Sequence, residues 1–168
     1  MTEAISGATP GQTVGPFFHH ALAYPGDAEL VPFGAAGSVV LHGYVHDGAG
    51  DPVPDAMIEI RQSDAAGVVP RVGGSLRRRG AGFTGWGRCC TDGAGHYWFS
   101  TVEPGLPFFA VTVFARGLLD RLFTRIYLPG TDNAVDGLVA SREDDGRLRF
   151  DLHLQGPSET TFLTFPRT

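Results

Sequence analysis

The sequence predicts an all-β fold, in the form of a two-sheet β-sandwich preceded by an extended N-terminal arm. Glycine and proline punctuate the chain, with 24 and 12 of its 168 residues, which is about a fifth where roughly 12% is usual. Between these breaks, short apolar stretches alternate with a period of two residues, as strands do. No stretch has the periodicity of a convincing amphipathic helix. These observations favour strands joined by tight turns over a helical bundle.

Eight stretches carry the strand pattern. In the first of them Val39, Leu41 and Val45 share one face, because alternate side chains of a strand point to the same side. The seventh has the cleanest alternation in the chain, with leucine and phenylalanine inward and mostly charged residues outward. The predicted strands span residues 38–47, 56–62, 86–91, 96–102, 107–117, 121–128, 147–155 and 160–165.

The segments around these strands complete the predicted architecture. We expect 107–117 and 121–128 to pair, since only a short connection separates them. The polar loop 129–146 is expected to contain a short helix. Residues 1–37 lack the strand pattern and form the arm, while 38–168 form the sandwich of a single domain. A proline-rich arm of this length needs something to hold it, so it either wraps its own sandwich or lies on a partner.

The charge balance narrows the classes of partner. All 13 basic residues are arginine, and 18 acidic residues leave a net charge of −5, which argues against a surface that reads nucleic-acid phosphates. The apolar runs are far shorter than the roughly 20 residues of a membrane span. The first residues lack the basic and apolar regions of a secretory signal, so we expect a cytoplasmic protein.

Several kinds of catalytic site are excluded or disfavoured by the motifs. The chain has no G-x-S-x-G elbow and no phosphate-binding loop of the Walker type. The adjacent Cys89 and Cys90 would point to opposite faces of a strand and remain reduced. The acidic cluster at 143–145 is interpreted as a solvated charge run, and the three arginines at 77–79 as a solvated run or the edge of an interface.

Histidine is the remaining candidate metal ligand. His42 and His46 lie four residues apart on one strand and would share a face, but nothing in the sequence supplies a third and fourth ligand. His19 and His20 would point in opposite directions in an extended arm. Lone histidines on strands usually have structural roles, and His96 and His153 are assigned such roles.

Long motifs along the chain resemble those of the intradiol ring-cleavage dioxygenase family. They include QTVGPFF at 12–18, VFARGLLDRLFTRIYLPG at 113–130 and RFDLHLQGPSETTFLTF at 149–165. The F-A-R-G and Q-G-x-x-E-T-x-F motifs are most similar to the alpha subunits of the heteromeric, protocatechuate-cleaving members. The resemblance implies a β-sandwich of the intradiol type and a function in opening an aromatic ring with dioxygen.

The resemblance also implies where the metal is held. In the family, the catalytic beta subunit binds a non-haem ferric iron through two tyrosines and an H-x-H pair. The comparable positions here are Val69 for the first tyrosine, Phe108 and Ala110 for the histidines, and the segment 105–107, which has no tyrosine. Phenyl, methyl and isopropyl groups have no lone pair to donate to a metal. We therefore expect Fe(III) in the complex to be ligated by the partner beta subunit and not by this chain.

Four residues are expected, by the same resemblance, to approach a small aromatic substrate at the interface with that partner. They are Thr13, Gly15 and Pro16 on the arm, and Arg116 of the F-A-R-G motif. Their chemistry suits this role, because glycine allows a ligand close to the backbone and a guanidinium binds a carboxylate. No catalytic residue is expected in this chain, which we expect to be inactive alone.

Two other functions are compatible with parts of the sequence. Hairpin motifs such as T-D-G-A-G-H-Y-W-F at 91–99 also occur in transthyretin-like and carboxypeptidase-regulatory-like binding modules. Those modules lack the Q-T-x-G-P-F arm. A homomeric dioxygenase acting on catechol or hydroxyquinol is the other alternative, and the missing iron ligands argue against it.

Overall fold

The computed structural model describes residues 11–71 and 82–165. One short helix and nine strands are present in these residues. The helix α1 lies in the arm, and the strands begin where the arm ends. Their bounds are α1 Phe18–Ala21, β1 Ser38–His46, β2 Met57–Arg61, β3 Trp86–Cys90, β4 His96–Val102, β5 Phe108–Phe114, β6 Leu122–Tyr127, β7 Ser141–Arg142, β8 Leu148–Arg149 and β9 Leu152–His153.

The strands form two sheets, which confirms the predicted all-β class. The first sheet has the order β4-β1-β8-β7, with β9 also paired to β1, and the second has the order β3-β2-β5-β6. Strands β5 and β6 pair antiparallel as expected, with Phe109 opposite Ile126. The strand β1 pairs antiparallel with β4 but parallel with β8 and β9.

The inward faces of both sheets form one apolar core. Leu41 and Val45 on β1 are fully buried, as the period-two pattern predicted, and so is Phe99 on β4. The second sheet contributes Ile58, Phe109 and other fully buried residues to the same cluster. Burial of apolar area of this kind provides the main driving force for the fold.

The predicted strand 147–155 is wrong in one respect, because two short strands replace it. Between β8 and β9 the carbonyl oxygen of Phe150 accepts a hydrogen bond from the buried Tyr97 hydroxyl at 2.7 Å. The amide of Phe150 donates to the His42 carbonyl at 2.9 Å. Gly43 makes room for this backbone, since a Cβ there would lie 1.7 Å from the Phe150 oxygen. The alternation predicted the buried face but not this interruption.

Three further expectations about secondary structure are wrong. The loop 129–146 contains turns and the strand β7 instead of a helix, and it is held by Tyr127, whose amide donates to the Leu138 carbonyl at 2.8 Å. The segment 160–165 is not a strand, although the Leu163 amide donates to Phe123 at 2.7 Å. The described helix lies instead in the arm, which the pattern left without any element.

The described part of the arm packs along its own sandwich. The Leu30 amide donates to the Ser100 carbonyl at 2.8 Å, and the Ser100 amide donates to Ala28 at 2.9 Å. On the other sheet, Arg88 donates to the Asp27 carbonyl through its amide and to Leu22 through its guanidinium. The arm therefore crosses from one sheet to the other at this end of the molecule.

Candidate functional site

Arg116 lies in the turn that follows β5. The strand ends at Phe114, the next residue, Ala115, is buried, and Gly117 reverses the chain with a φ of +88°, a conformation that favours glycine. The Arg116 Nε donates to Oδ2 of Asp55. The Asp55 side chain is 11% exposed whereas that of Arg116 is 55% exposed. The ion pair thus has a buried carboxylate and an outward guanidinium.

Thr13 joins the arm to this same turn. Its Oγ1 accepts a hydrogen bond of 2.7 Å from the Gly117 amide, across 104 residues of chain. Gly11 lies beside Leu119, with the Leu119 Cβ 3.4 Å from where a Cβ on the glycine would stand. The structure therefore brings Thr13 next to the turn that contains Arg116.

Gly15 and Pro16 follow on the exposed outer side of the arm. The Gly15 carbonyl accepts from the Phe18 amide at 3.3 Å and so forms the turn into α1. A Cβ on Gly15 would meet nothing within 4 Å. Within the described residues, neither Gly15 nor Pro16 has a hydrogen bond to Arg116. Both are exposed backbone positions that a neighbouring molecule could contact.

Two shallow clefts lie on either side of the Arg116 turn. One, of about 320 Å³, is lined by the Asp55 and Arg116 pair together with Asp47 and Gln155. The other, of about 200 Å³, lies between the arm residues Gln12 and Val14 and the chain after β5. The guanidinium is therefore accessible from the surface.

The positions expected to correspond to iron ligands carry no metal-binding group. Phe108 and Ala110 point outward on β5, and the Arg125 guanidinium lies 4.5 Å from the Phe108 ring centre. Val69 is half exposed in a loop. Throughout 11–71 and 82–165, no cluster of three or more histidine, cysteine or acidic side chains could hold a metal ion. The residues at these positions do not fit a ferric site made of imidazole and phenolate ligands.

The buried tyrosine does not supply a phenolate either. Burial raises the pKa of Tyr97 far above its ordinary value, so its hydroxyl stays protonated and donates to Phe150. A neutral phenol within a packed core is a structural group.

His42 has a different partner from the one that its sequence spacing suggests. The two residues His42 and His46 do share the outer face of β1, but His42 Nε2 lies 2.9 Å from Glu143 Oε2 and its Nδ1 lies 3.4 Å from His96 Nε2. Glu143, interpreted from sequence as part of a solvated run, is instead only 27% exposed and also binds Arg147. The pairing of β1 with β4 brings the two histidines together, and the hairpin of β7 and β8 beside β1 adds Glu143.

Comparison with known proteins places the chain in a family. A family model described as "Dioxygenase" matches residues 15–112. The chain is 36% identical to the protocatechuate 3,4-dioxygenase alpha chain of Burkholderia cepacia, over 92% of this chain and 96% of that one. It is 31% identical to the alpha chain of Pseudomonas putida, over 94% and 96%.

The chain belongs to the intradiol dioxygenase family. It is also 33% identical to the protocatechuate 3,4-dioxygenase beta chain of Burkholderia cepacia, over 55% of this chain and 45% of that one. The similarity to alpha chains therefore extends over much more of the sequence than the similarity to the beta chain.

Solved structures show the same fold. The dioxygenase domain of a dioxygenase and carbohydrate-binding fusion from Streptomyces sp. SirexAA-E matches with a TM-score of 0.60 at 23% identity, over 88% of this chain and 98% of that one. Catechol 1,2-dioxygenase from Acinetobacter sp. ADP1 matches with a TM-score of 0.58 at 20% identity, over 74% and 55%. These likenesses support the intradiol β-sandwich predicted from the motifs.

The cysteines of this intradiol dioxygenase chain are both free, as predicted. Cys89 points into the core, and burial raises the pKa of its thiol to about 11. Cys90 points to the other face, where its thiol donates to the His19 carbonyl at 3.3 Å, and burial raises its pKa as well. Thiols with raised pKa values are poor nucleophiles at neutral pH.

The histidines of the arm are not extended. His19 and His20 belong to α1, and their ring centres lie 3.9 Å apart, so the extended arm in which they would point in opposite directions does not form at these residues. The arginines at 77–79 lie outside the described residues.

Asp55 is the site residue that sequence reasoning missed. It stands in a P-V-P-D-A turn, where an acidic residue ordinarily forms part of the turn itself. Its contact with Arg116 spans 61 residues, and no local pattern connects the two positions.

Proposed function

We propose that this chain is the non-iron-binding alpha subunit of a protocatechuate 3,4-dioxygenase. It would pair with an iron-bearing beta subunit, and the complex would cleave 3,4-dihydroxybenzoate with O2 between its two hydroxyl-bearing carbons to give 3-carboxy-cis,cis-muconate. The observation that carries the proposal is the 36% identity to an alpha chain over 92% of this chain. Both oxygen atoms of O2 are incorporated into the product.

The division of labour between the subunits follows from the donor chemistry. Phe108 and Ala110 offer this chain no ligand at the positions of the H-x-H pair. We propose that the Fe(III), which supplies the redox chemistry, is ligated by the beta subunit. The alpha subunit then contributes groups that bind and orient the substrate but no catalytic residue.

Arg116 is the main substrate-binding residue in this proposal. Its guanidinium is more than half exposed and is the kind of group that binds a benzoate carboxylate through two parallel hydrogen bonds. Thr13 is tied to the adjacent turn, while Gly15 and Pro16 present exposed backbone beyond it. All four residues would face the aromatic substrate at the interface with the beta subunit.

The remaining expectations belong to the same proposal. The chain would form one domain over residues 1–168, with the arm at 1–37 and the sandwich at 38–168. None of the described helices is long and apolar enough to cross a membrane. We propose a cytoplasmic hetero-oligomer of alpha-beta units, with no nucleic-acid or membrane partner.

The proposal is tested by producing the chain with and without a protocatechuate 3,4-dioxygenase beta chain as its partner. We expect the isolated chain to contain no iron and to consume no O2 with protocatechuate. The co-produced chains should form a complex with about one iron per alpha-beta unit and protocatechuate-dependent O2 uptake. Stoichiometric iron and ring cleavage in the isolated chain would contradict the proposal and favour a homomeric dioxygenase.

A further inference from the structure

The carboxylate of Asp55 lies at a fixed point beneath Arg116. The residue is 8% exposed and lies two residues before the start of β2. Thr91 holds the backbone on both sides of it, because Thr91 Oγ1 accepts from the Ala56 amide at 2.9 Å and donates to the Val53 carbonyl at 2.7 Å. A carboxylate on so constrained a turn has little freedom to follow a moving partner.

The way in which Arg116 uses its donors leaves one edge free. A guanidinium has five N–H donors in a planar fork, and the contact with Asp55 uses the Nε. Among the described residues, no acceptor is paired with the two Nη groups of Arg116. Because its Nε is paired with a constrained carboxylate, the ion pair restricts the orientation of the guanidinium and leaves its Nη groups for another acceptor.

We propose that Asp55 is a positioning residue that holds the Arg116 guanidinium with its Nη edge directed at the carboxylate of the aromatic substrate. The inference rests on the proposed function and adds a second residue, in the same chain, that acts only through Arg116. The Thr13 contact with Gly117 supports the same arrangement, because it fixes the turn immediately after the arginine.

The physical advantage of the arrangement is preorganisation. An unrestrained arginine loses rotamer freedom when it binds a ligand, and holding it in place beforehand removes part of that loss. Asp55 also neutralises part of the charge that attracts the substrate. Its benefit is therefore one of geometry, and an uncharged acceptor in the same place should preserve much of it.

The test uses the purified alpha-beta complex and two ligands that differ in the carboxylate. The KM for protocatechuate is compared with the inhibition constant of catechol, which has no carboxylate. For Asp55→Ala we expect the KM for protocatechuate to rise about tenfold, as for loss of a charged hydrogen bond, with the catechol constant and kcat within about twofold. Equal weakening of both ligands would overturn the proposal.

Asp55→Asn is the second variant, because it keeps the shape and an oxygen acceptor and so should assemble even where the alanine variant does not. We expect the protocatechuate KM to rise only about threefold, since the neutral hydrogen bond to Nε remains. A rise as large as that of Asp55→Ala would show that geometry is not what Asp55 provides. Glu103→Ala, which breaks the exposed pair with Arg142, is the control and should leave both constants unchanged.

A double-mutant cycle separates this inference from the proposed function. Arg116→Ala alone should raise the protocatechuate KM while leaving iron content and assembly intact, and an unchanged KM would refute the substrate-binding role of Arg116. If that role holds, Asp55→Ala should have no further effect in the Arg116→Ala background. An undiminished effect of Asp55→Ala in that background would overturn only the positioning role.

Discussion

Individual side chains in this protein take their properties from neighbours in other strands. His96 on β4 lies beside His42 on β1, and the Arg147 and Arg149 side chains lie nearby on the β8 side. Burial first, and then these positive neighbours, hold the pKa of His96 below its ordinary value of 6.5, against the opposing effect of Asp92. Histidine is the side chain whose charge changes near neutral pH, so the shift affects stability in that range.

We predict that the folded chain loses stability as the pH falls below about 6.5. The unfolded state binds the proton at the ordinary pKa, while folded His96 resists it, so the free energy of unfolding decreases between the two pKa values. The measurement is the urea midpoint at about pH 7.5 and about pH 5.5, where His96→Gln should reduce the difference between them.

His20→Gln, which changes an exposed histidine in α1, is the control for this experiment. The loss of stability should persist in that variant. A pH dependence of the His96→Gln variant as steep as that of the unchanged chain would contradict the assignment to His96. The pKa of Asp92 is lowered, mainly by its hydrogen bond with the His96 amide. Asp92 therefore titrates at a more acidic pH than His96, outside the range of this experiment.

The residues of the candidate site illustrate what a sequence can indicate at this scale. Arg116 and Thr13 were predicted through motifs of the family, and in the structure the Thr13 side chain is hydrogen-bonded to the turn that contains Arg116. Asp55 was not identified, because a buried acceptor for an arginine can come from any part of the chain. Such a contact depends on which strands become neighbours.

At the scale of elements, the alternation of apolar residues predicted strands well but not their interruptions. The strand β4 has the predicted bounds, and β1, β2, β3, β5 and β6 differ from prediction only at their ends. The break between β8 and β9 is caused by residues of other strands. The Tyr97 hydroxyl binds the Phe150 carbonyl, and Gly43 leaves room for that carbonyl. A period-two pattern indicates which face of a strand is buried, but it does not indicate which residues of other strands will bind or accommodate its backbone.

We predict that Gly43→Ala destabilises the fold by at least about 3 kcal/mol, the upper part of the usual range for overpacking. The added Cβ would stand 1.7 Å from the Phe150 carbonyl oxygen, and this oxygen cannot move without losing its bond to Tyr97. Urea denaturation measures the difference. Gly93→Ala is the matched control, since a Cβ there meets nothing within 4 Å, and it should change stability by less than about 0.5 kcal/mol. Equal stability of the two variants would contradict the close approach.

At the scale of the whole molecule, apolar side chains remain exposed on the arm. Phe17, Leu22 and Tyr24 fall within one short stretch and are 74%, 39% and 47% exposed. Scattered exposed apolar residues are ordinary, but several of them on one short exposed stretch are what an interface with a partner chain requires. We therefore expect this part of the arm to contact the beta subunit of the proposed complex.

We predict that Phe17→Ser weakens association with the beta subunit by roughly tenfold or more, as for a central aromatic contact. Sedimentation of the two purified chains measures the dissociation constant, and circular dichroism shows whether the variant is folded. Phe33→Ser is the matched control. Phe33 is also well exposed, at 69%, but it packs against Trp98 of β4, in the first sheet. Loss of association in the Phe33 variant alone would place the interface on that sheet instead.

The sequence by itself determined the β-sandwich, the presence of an arm, the family, and the lack of ligand groups at Phe108 and Ala110. These features depend on local periodicity and on residue types at motif positions, and both can be recognised in the sequence without knowledge of the fold. Only the tertiary structure decided that Asp55 holds Arg116, that Thr13 fixes the next turn, and that Phe150 interrupts a strand over Gly43. Each of these contacts joins residues from distant parts of the chain, and such contacts exist only once the sheets and the arm have packed together.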